Sequence, residues 1–318
     1  MKKALHMILY TALFIGVFAG SAYTAMIYHI STQQRIMKVD WNDSVGTVFP
    51  DLPYGDGEYN TYSLYIPAGL DKNQPQSLIL DIHGGGFTAG DKTDDDTACR
   101  YYASKGIIVA AMNYTYLGVN GASLNSMMEE ALQCVDAVRE QCASMGCRIT
   151  EMAATGSSAG GCLAMLYAYR NAQESSVPVK FVFQQTGPAT FDKEFWGDTT
   201  DNYEMQALSV SLYTGKNIIP ESVGTEEFQR SIDEISPAAL ISDTTVPTLC
   251  AYGPKDKVVP TQLKYLLFNN LAEHHIPYDY IEFPHSNHGM YDDPEKTREY
   301  LVKSLEYCVR YFENYRKQ

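Results

Sequence analysis

The sequence is poor in basic residues. Its 318 residues include 24 Lys and Arg against 38 Asp and Glu, which gives a formal net charge of −14. Residues 1–35 hold three of the basic residues and no acid, so the remainder carries 21 basic against 38 acidic residues, a net charge of −17. Binding to nucleic acid requires a basic surface. The charge balance therefore argues against nucleic acid as a partner, and it disfavours a highly anionic substrate.

The sequence also lacks the spacings of a metal site, and it contains no internal repeats. Its seven cysteines include no Cys-x-x-Cys pair, and no Cys/His cluster has zinc-ligand spacing. An odd number of cysteines leaves at least one thiol free. The sequence therefore implies no metal and no cofactor.

Charged residues are absent from Ala4 to Ile30, an apolar stretch that follows two lysines. A helix of that length rises about 40 Å, enough to cross a bilayer with tilt. The stretch continues well past an ordinary signal core, which favours an uncleaved signal anchor over residues 1–35. A signal peptide cleaved after Ala22 and a buried helix are the alternatives. With an anchor or a signal peptide, the large domain lies outside the cytoplasm, either tethered to a membrane or secreted.

Beyond this leader, short apolar runs alternate with segments of helical periodicity. The apolar runs predict strands over 61–67, 77–82, 107–114, 151–155, 179–186, 246–253 and 278–283. Between them, apolar residues spaced three and four apart predict helices, including one over 124–142 and one that begins at Asp293-Pro294. This alternation predicts an α/β fold, with a mostly parallel central sheet and helices on both faces. We assign it to one domain over residues 36–318.

Residues 188–240 interrupt the alternation. They are rich in polar residues and carry six aromatic side chains: Phe191, Phe195, Trp196, Tyr203, Tyr213 and Phe228. We interpret the segment as a cap insertion that lies over the carboxyl edge of the sheet and lines a pocket there. The alternative is a long surface segment that packs around its own small core. The two interpretations are compatible.

A glycine-rich segment, DIHGGGFTAGDKT at 81–93, follows the second predicted strand. As a P-loop it would place Asp91 where the phosphate-binding Lys belongs. As a dinucleotide fingerprint it would need an acid at the end of the next strand, which instead ends in MNYTY at 112–116. The glycines are better suited to let backbone amides approach an ester oxygen that becomes negative in a tetrahedral intermediate.

The segment GSSAGG, at 156–161, lies between a predicted strand and a predicted helix. It contains G-x-S-x-G in the context of a nucleophile elbow, a sharp turn that lifts the central Ser158 clear of the sheet. The turn also aims the amide of Ala159 toward the space where an oxyanion would form. Bulky residues two positions to either side would collide, which explains Gly156 and Gly160.

A serine nucleophile needs a base, and the base needs an acid to orient it. His288 follows the last predicted strand, and His285 in the same loop is its rival. Asp256 follows a buried strand, whereas Asp243 precedes that strand and is expected at the opposite edge of the sheet. The order of Ser158, Asp256 and His288 along the chain is that of triads built on such a sheet.

These motifs together resemble one superfamily. HGGGF at 83–87, GSSAGG, a post-strand Asp and a His-Gly loop occur in the order seen in α/β-hydrolases, over about 61–312. The first two are similar to those of hormone-sensitive-lipase-like carboxylesterases and of related acetyl and feruloyl esterases that act on plant polysaccharides. The lipase-like group usually has Asp before the nucleophile, where this sequence has Ser157, so the polysaccharide-esterase relatives stay open.

The resemblance implies a role for each residue of the motifs. The implied triad consists of Ser158 as nucleophile, Asp256 as acid and His288 as general base. The implied oxyanion-hole amides are those of Gly85, Gly86 and Ala159. The implied loop-shaping residues, without a catalytic role, are His83, Gly84, Gly156 and Gly160.

The sequence therefore predicts a serine ester hydrolase that cleaves short-chain carboxylic esters through an acyl-enzyme. Its substrate would be a small-molecule or carbohydrate ester, with acetyl or feruloyl esters of carbohydrates as the candidates. A serine peptidase or amidase of the same fold is an alternative, because the acyl chemistry is shared. A non-catalytic binding domain is the other alternative, although such domains typically lose a triad member and all three are present here.

Overall fold

The computed structural model describes residues 35–192, 195 and 202–315. Its strands are β1 (Gly46–Pro53), β2 (Thr61–Pro67), β3 (Pro75–Ile82), β4 (Ile108–Met112), β5 (Arg148–Ser157), β6 (Val179–Gln185), β7 (Thr248–Tyr252) and β8 (Tyr278–Glu282). Within the described residues these strands form one eight-stranded sheet, in the order β1-β2-β4-β3-β5-β6-β7-β8. Strand β2 runs antiparallel to both of its neighbours, and the other neighbouring strands are parallel.

Helices cover both faces of this sheet. They are α1 (Asp96–Ala103), α2 (Leu124–Ser144), α3 (Ala159–Leu166), α4 (Tyr203–Thr214), α5 (Glu226–Asp233), α6 (Leu263–Glu273) and α7 (Pro294–Tyr311). Helices α2, α3 and α6 belong to one buried cluster through Val135, Leu163 and Leu267. Helices α1 and α7 belong to the cluster on the other face through Tyr102 and Leu301. The predicted α/β fold, a mostly parallel sheet between helical layers, is confirmed.

The central strands follow from their sequences. In β3, Leu80 is fully buried in the cluster on one face, and its neighbour Ile79 is fully buried in the cluster on the other. A strand buried on both faces is a continuous apolar run, because neither face can take polar residues. Burying one such side chain contributes about 1.5–3 kcal/mol to folding. Because these strands are parallel, the loops that follow them gather at one edge of the sheet.

Two strands differ from the sequence prediction. Residues 61–67 alternate like a half-buried strand, yet β2 is largely buried, because Tyr62 packs in one cluster and Tyr65 in the other. Strand β1 has no counterpart in the sequence prediction. It is a partly exposed edge strand with two prolines and an irregular register between Phe49 and Leu52. Such a strand shows neither a continuous apolar run nor a clean alternation.

The predicted signal anchor over residues 1–35 lies outside the described residues, apart from Arg35. Across the part of the chain that the structure describes, no helix is both long and apolar enough to span a membrane. All seven cysteines belong to the described part, and each is a buried free thiol.

Candidate active site

Ser158 occupies the sharp turn between β5 and α3. Strand β5 ends at Ser157 and α3 begins at Ala159, so a single residue redirects the chain. The backbone of Ser158 has φ 54° and ψ −124°. A residue with a side chain adopts such a conformation at a cost of about 1–3 kcal/mol, which the surrounding structure must offset. This is the geometry that the nucleophile-elbow motif predicts.

Gly156 and Gly160 leave the space that this turn requires. A Cβ on Gly160 would stand 1.8 Å from the carbonyl oxygen of Ile82, and a Cβ on Gly156 would stand 2.4 Å from the same oxygen. Neither separation is compatible with a side chain. The two glycines therefore let the elbow pack directly against the end of β3.

We expect Gly160→Ala to lower the free energy of unfolding by about 3 kcal/mol, because the added methyl group meets backbone that cannot rotate away. The measurement is a urea titration of both proteins. Gly69→Ala is the matched control: its φ is +74°, but no atom lies within 4 Å of its added Cβ. It should lose only the ~1–2 kcal/mol of a left-handed alanine. Equal losses in the two variants would contradict the steric argument.

One chain of hydrogen bonds joins three of the predicted residues. His288 Nε2 lies 2.8 Å from Ser158 Oγ, and His288 Nδ1 lies 2.7 Å from Asp256 Oδ2. The Asp256 side chain is 1% exposed, and its other oxygen accepts hydrogen bonds from the amides of Val258 and Val259. A carboxylate held in this way favours a proton on Nδ1, which leaves Nε2 to accept the Ser158 proton.

The sheet explains how residues so distant in sequence meet. Ser158 follows β5, Asp256 follows β7 and His288 follows β8. These strands and β6 are parallel neighbours, so their carboxyl ends share one edge. Loops at this edge are where open α/β sheets bind their ligands.

The two rival residues pair elsewhere. Asp243 precedes β7, is 90% exposed, and is hydrogen-bonded to Nδ1 of His274 at 2.7 Å. His285 Nδ1 lies 2.7 Å from Asp293, which also accepts a hydrogen bond from the hydroxyl of Ser286. Asp293 therefore stabilises the loop after β8, and His285 is hydrogen-bonded to Asp293.

The three glycines at 84–86 form a tight loop after β3. Gly85 has φ +115° and Gly86 has φ +60°, backbone conformations that favour glycine. A Cβ on Gly85 would stand 2.0 Å from the carbonyl oxygen of Ala89. All three glycines line the cavity that also exposes Ser158. Their backbone can therefore approach a small molecule held beside that serine.

Ala159 contributes the first amide of α3. An amide at this position has no carbonyl partner within the helix, and the helix dipole adds partial positive charge there. The position suits a negative oxygen next to Ser158.

His83 lies beneath this loop. Its side chain is fully buried, stacks on the ring of Tyr114 at a centroid distance of 4.3 Å, and places Nδ1 2.7 Å from the carbonyl oxygen of Gly84. Burial lowers the pKa of His83, so the ring is neutral and Nδ1–H donates to that carbonyl. The contacts fit the loop-shaping role that the motif implies for His83 and Gly84.

Sequence reasoning misses the residues after β4 that brace the same loop. The Tyr116 hydroxyl donates to the carbonyl of Gly90 at 2.5 Å. The side-chain amide of Asn113 donates to Asp91 at 2.9 Å. Both side chains belong to MNYTY at 112–116, the segment that ends the next strand without an acid. Polar side chains at the end of the strand beside β3 are the signal that could have identified them.

A cavity of about 620 Å³ has Ser158 and His288 in its wall. This volume is in the range of small-molecule sites. Further wall residues come from the glycine loop 84–86, from the loop after β8, and from α7. Among the residues with described positions, no group of three or more His, Cys, Asp or Glu could hold a metal ion.

The insertion at 188–240 is described except for 193–194 and 196–201. None of its described residues lines the cavity, so this part of the chain does not bear out the expected pocket-lining role. Instead, the rings of Phe191 and Tyr213 pack against Phe87, at centroid distances of 6.2 and 5.7 Å. Phe87 directly follows the glycine loop, so the insertion supports that loop through Phe87.

Comparisons with known proteins identify the family of this chain. The BD-FAE family model matches residues 63–271, about two thirds of the chain. Esterase LipI of Mycobacterium tuberculosis is 28% identical over 119 residues, which are 37% of this chain and 37% of LipI. The match thus spans little more than a third of that relative's length.

Solved structures share the fold. A truncated carbohydrate esterase from gut microbiota has a TM-score of 0.62 and 17% identity, over 85% of this chain and 100% of the other. Esterase B from Lactobacillus rhamnosis, inhibited with a tributyrin phosphonate, has a TM-score of 0.65 and 20% identity, over 91% of this chain and 94% of the other. At these identities the likeness shows the fold, which is that of α/β-hydrolase esterases.

Proposed function

The chain belongs to the BD-FAE family of α/β-hydrolase esterases, and from that premise we propose that it cleaves short-chain carboxylic esters through an acyl-enzyme on Ser158. The observation that carries the proposal is the chain of hydrogen bonds from Ser158 through His288 to Asp256, at the wall of a cavity. Such a chain activates a hydroxyl that is otherwise a weak nucleophile.

The first half-reaction forms the acyl-enzyme. Ser158 Oγ attacks the carbonyl carbon of the ester while His288 Nε2 accepts its proton, and Asp256 stabilises the resulting imidazolium. The carbonyl oxygen becomes an oxyanion that accepts hydrogen bonds from the amides of Gly85, Gly86 and Ala159. One such donor typically contributes about 3 kcal/mol in the transition state. The imidazolium then protonates the leaving alcohol as the bond from carbon to the alcohol oxygen breaks.

The second half-reaction releases the acid. A water molecule attacks the acyl carbon and gives a proton to His288, and the oxyanion forms again in the same place. The oxyanion collapses, the bond from carbon to Ser158 Oγ breaks, and His288 returns the proton to that oxygen. The proposed steps use only groups of this chain, the ester and water.

We propose acetyl or feruloyl esters of carbohydrates as the natural substrates. A carbohydrate esterase and an esterase inhibited with a tributyrin phosphonate are among the proteins that share the fold. A cavity of about 620 Å³ supports the idea that a small acyl group binds at Ser158 with the alcohol part beside it.

We expect kcat/KM for 4-nitrophenyl esters to be high for acetyl and butyryl groups and to fall for acyl chains beyond about eight carbons. Each buried CH₂ that fits contributes about 0.8 kcal/mol, and each one that does not fit contributes nothing. The measurement is kcat/KM across a series from acetyl to palmitoyl. A value that climbs steadily to palmitoyl would contradict the proposal and indicate a lipid substrate.

Natural substrates complete the same test. Release of acetate from acetylated xylan, or of ferulate from a feruloyl ester, supports the carbohydrate assignment. Faster turnover of an aminopeptidase substrate than of any ester would favour a peptidase of the same fold. The triad chemistry is common to both classes, so only substrate comparison separates them.

We also propose roles for the segments of the chain. Residues 36–318 act as the catalytic domain, with 188–240 as its cap, and residues 1–35 anchor or export it. In support, the candidate triad and glycine loop all lie between residues 83 and 288 of the described fold. The absence of charge from Ala4 to Ile30 supports the anchor.

A further inference from the structure

The cavity with Ser158 in its wall extends between the sheet and helices α1 and α7. On that side its wall carries three carboxylates, those of Asp81, Asp94 and Asp95, which we call the acidic end. Asp81 belongs to β3, and the other two directly precede α1. None of the three takes part in the proposed ester chemistry. The wall of one cavity therefore contains both the candidate nucleophile and three carboxylates that have no role in the proposed reaction.

Asp81 has a buried oxygen without a partner. The residue is 6% exposed, and its Oδ2 makes no hydrogen bond within the described structure. The carboxyl group interacts with the thiol of Cys99, which is a weak donor. Leaving a buried polar atom unpaired costs about 1–3 kcal/mol, and more when the group is charged. Asp81 belongs to the cavity wall, so a ligand in the cavity would lie next to this carboxyl group.

The acidic end also lacks positive charge. No Lys or Arg is among the described residues of the cavity wall. Burial and the nearby Asp95 raise the pKa of Asp81 well above its ordinary value. Burial and Asp94 raise the pKa of Asp95 to about 6. Burial and a neighbouring carboxylate both disfavour the ionised form of these groups, and a bound cation would favour it.

Aromatic rings stand beside these acids. Tyr102 from α1 and Tyr300 from α7 line the cavity, and the Tyr102 hydroxyl is fixed by a hydrogen bond to Ser304 at 2.8 Å. The faces of such rings attract cations. Acids and rings together are a binding set for an ammonium group. A neutral sugar hydroxyl could bond to the acids, but only a cation would also favour their ionised forms.

We propose that the acidic end binds an ammonium group carried by the alcohol part of the ester substrate, with Asp81 and Asp95 as its ionic partners. The assignment to the alcohol part rests on the proposed function, because a short acyl group at Ser158 leaves most of the cavity to the alcohol. The preferred ester is therefore that of a cationic alcohol, such as an amino sugar or another amino alcohol.

The test compares two acetate esters of the same shape: 2-(trimethylammonio)ethyl acetate, which is cationic, and 3,3-dimethylbutyl acetate, which is neutral. We expect kcat/KM for the cationic ester to exceed that for the neutral one by about tenfold or more in the full chain. The ratio is the quantity to compare, because changes in the acyl chemistry affect both esters and cancel.

Asp81→Asn and Asp95→Asn each remove an ionisable carboxyl group at nearly constant shape, and each should bring the ratio close to one. Asp243→Asn is the matched control, since its exposed carboxylate lies beyond the opposite edge of the sheet, and it should keep the wild-type ratio. Asp81→Asn should also fold. A carboxyl group with a raised pKa destabilises the fold as pH rises above its ordinary pKa of about 4, and Asn removes that loss. Thermal unfolding at pH 7 checks this.

Tetramethylammonium chloride, added to Ser158→Ala, tests the subsite without turnover. We expect it to raise the unfolding midpoint above that in sodium chloride of equal ionic strength, but not in the double variant Ser158→Ala/Asp81→Asn. Binding with no hydrolysis of either ester would overturn the proposed function and keep the subsite. Equal kcat/KM for the two esters, or a ratio that survives both Asn variants, would overturn the subsite and leave the esterase proposal standing.

Discussion

Ser158→Ala is expected to lower kcat for 4-nitrophenyl acetate by at least about 10⁴-fold while the protein stays folded. Members of a hydrogen-bonded triad act as a unit, so loss of the nucleophile leaves only substrate binding and the oxyanion amides. Alanine can occupy the turn as serine does, since β5 and α3 impose the φ of 54° on whichever residue joins them. Steady-state kcat and the unfolding midpoint, measured on both proteins, test the two halves of this expectation.

Ser157→Ala is the matched control for that variant. Ser157 is the adjacent serine and ends β5, whereas His288 Nε2 is hydrogen-bonded to Ser158. We expect Ser157→Ala to retain kcat within about tenfold. A fluorophosphonate probe should label the wild type and Ser157→Ala but not Ser158→Ala. Inactivity of Ser157→Ala together with an active Ser158→Ala would assign the nucleophile to the other serine.

The sheet could be predicted from the sequence because burial on both faces leaves a clear pattern. Leu78 to Ile82 is an apolar run broken only by Asp81, and such runs recur at the lengths of strands. Parallel strands share a carboxyl edge, so the loops holding Ser158, Asp256 and His288 could be placed together from their order alone. The hydrogen-bond distances among these three side chains depend on how the loops pack. The spacing of apolar residues in the sequence does not reveal that packing.

The acidic end could not be predicted, because it depends on how two helices pack. In the sequence, Asp95 is one of three consecutive acids at the start of a helix, where acids are expected for the helix dipole. Asp81 is a single acid in an apolar strand. Only the packing of α1 against β2 and β4, and of α7 against β6, β7 and β8, encloses both in the cavity of Ser158.

The insertion at 188–240 illustrates a different limit of sequence reasoning. Its aromatic content predicts that rings are buried but not which surface buries them. Phe191 and Tyr213 pack against Phe87 and not around the cavity. Phe87 itself has φ +65°, a conformation rare for a bulky residue, and it is only 3% exposed. The rings therefore hold a strained residue next to the glycine loop, which is a supporting role that composition cannot reveal.

Asp256→Asn is expected to lower kcat about 10⁴-fold through the tautomer of His288. Asp256 accepts hydrogen bonds on both oxygens: Oδ2 faces His288 Nδ1, and Oδ1 faces the amides of Val258 and Val259. Asn has only one acceptor oxygen, and the two amides can only donate, so they retain it. Its NH₂ group then faces Nδ1 and forces the proton onto Nε2. His288 cannot accept the Ser158 proton in that form.

Asp243→Asn makes the same chemical change at the other end of β7 and is the matched control. Its exposed carboxylate is bonded to His274, away from the triad, so kcat should stay within about twofold of the wild type. The unfolding midpoints of both variants, measured together with kcat, distinguish a loss of catalysis from a loss of folded protein. If Asp243→Asn proves to be the inactive variant while Asp256→Asn turns over normally, the bond between His288 and Asp256 has no catalytic role. The acid of the triad would then have to act from the opposite edge of the sheet, which the strand order does not allow without a different placement of β7.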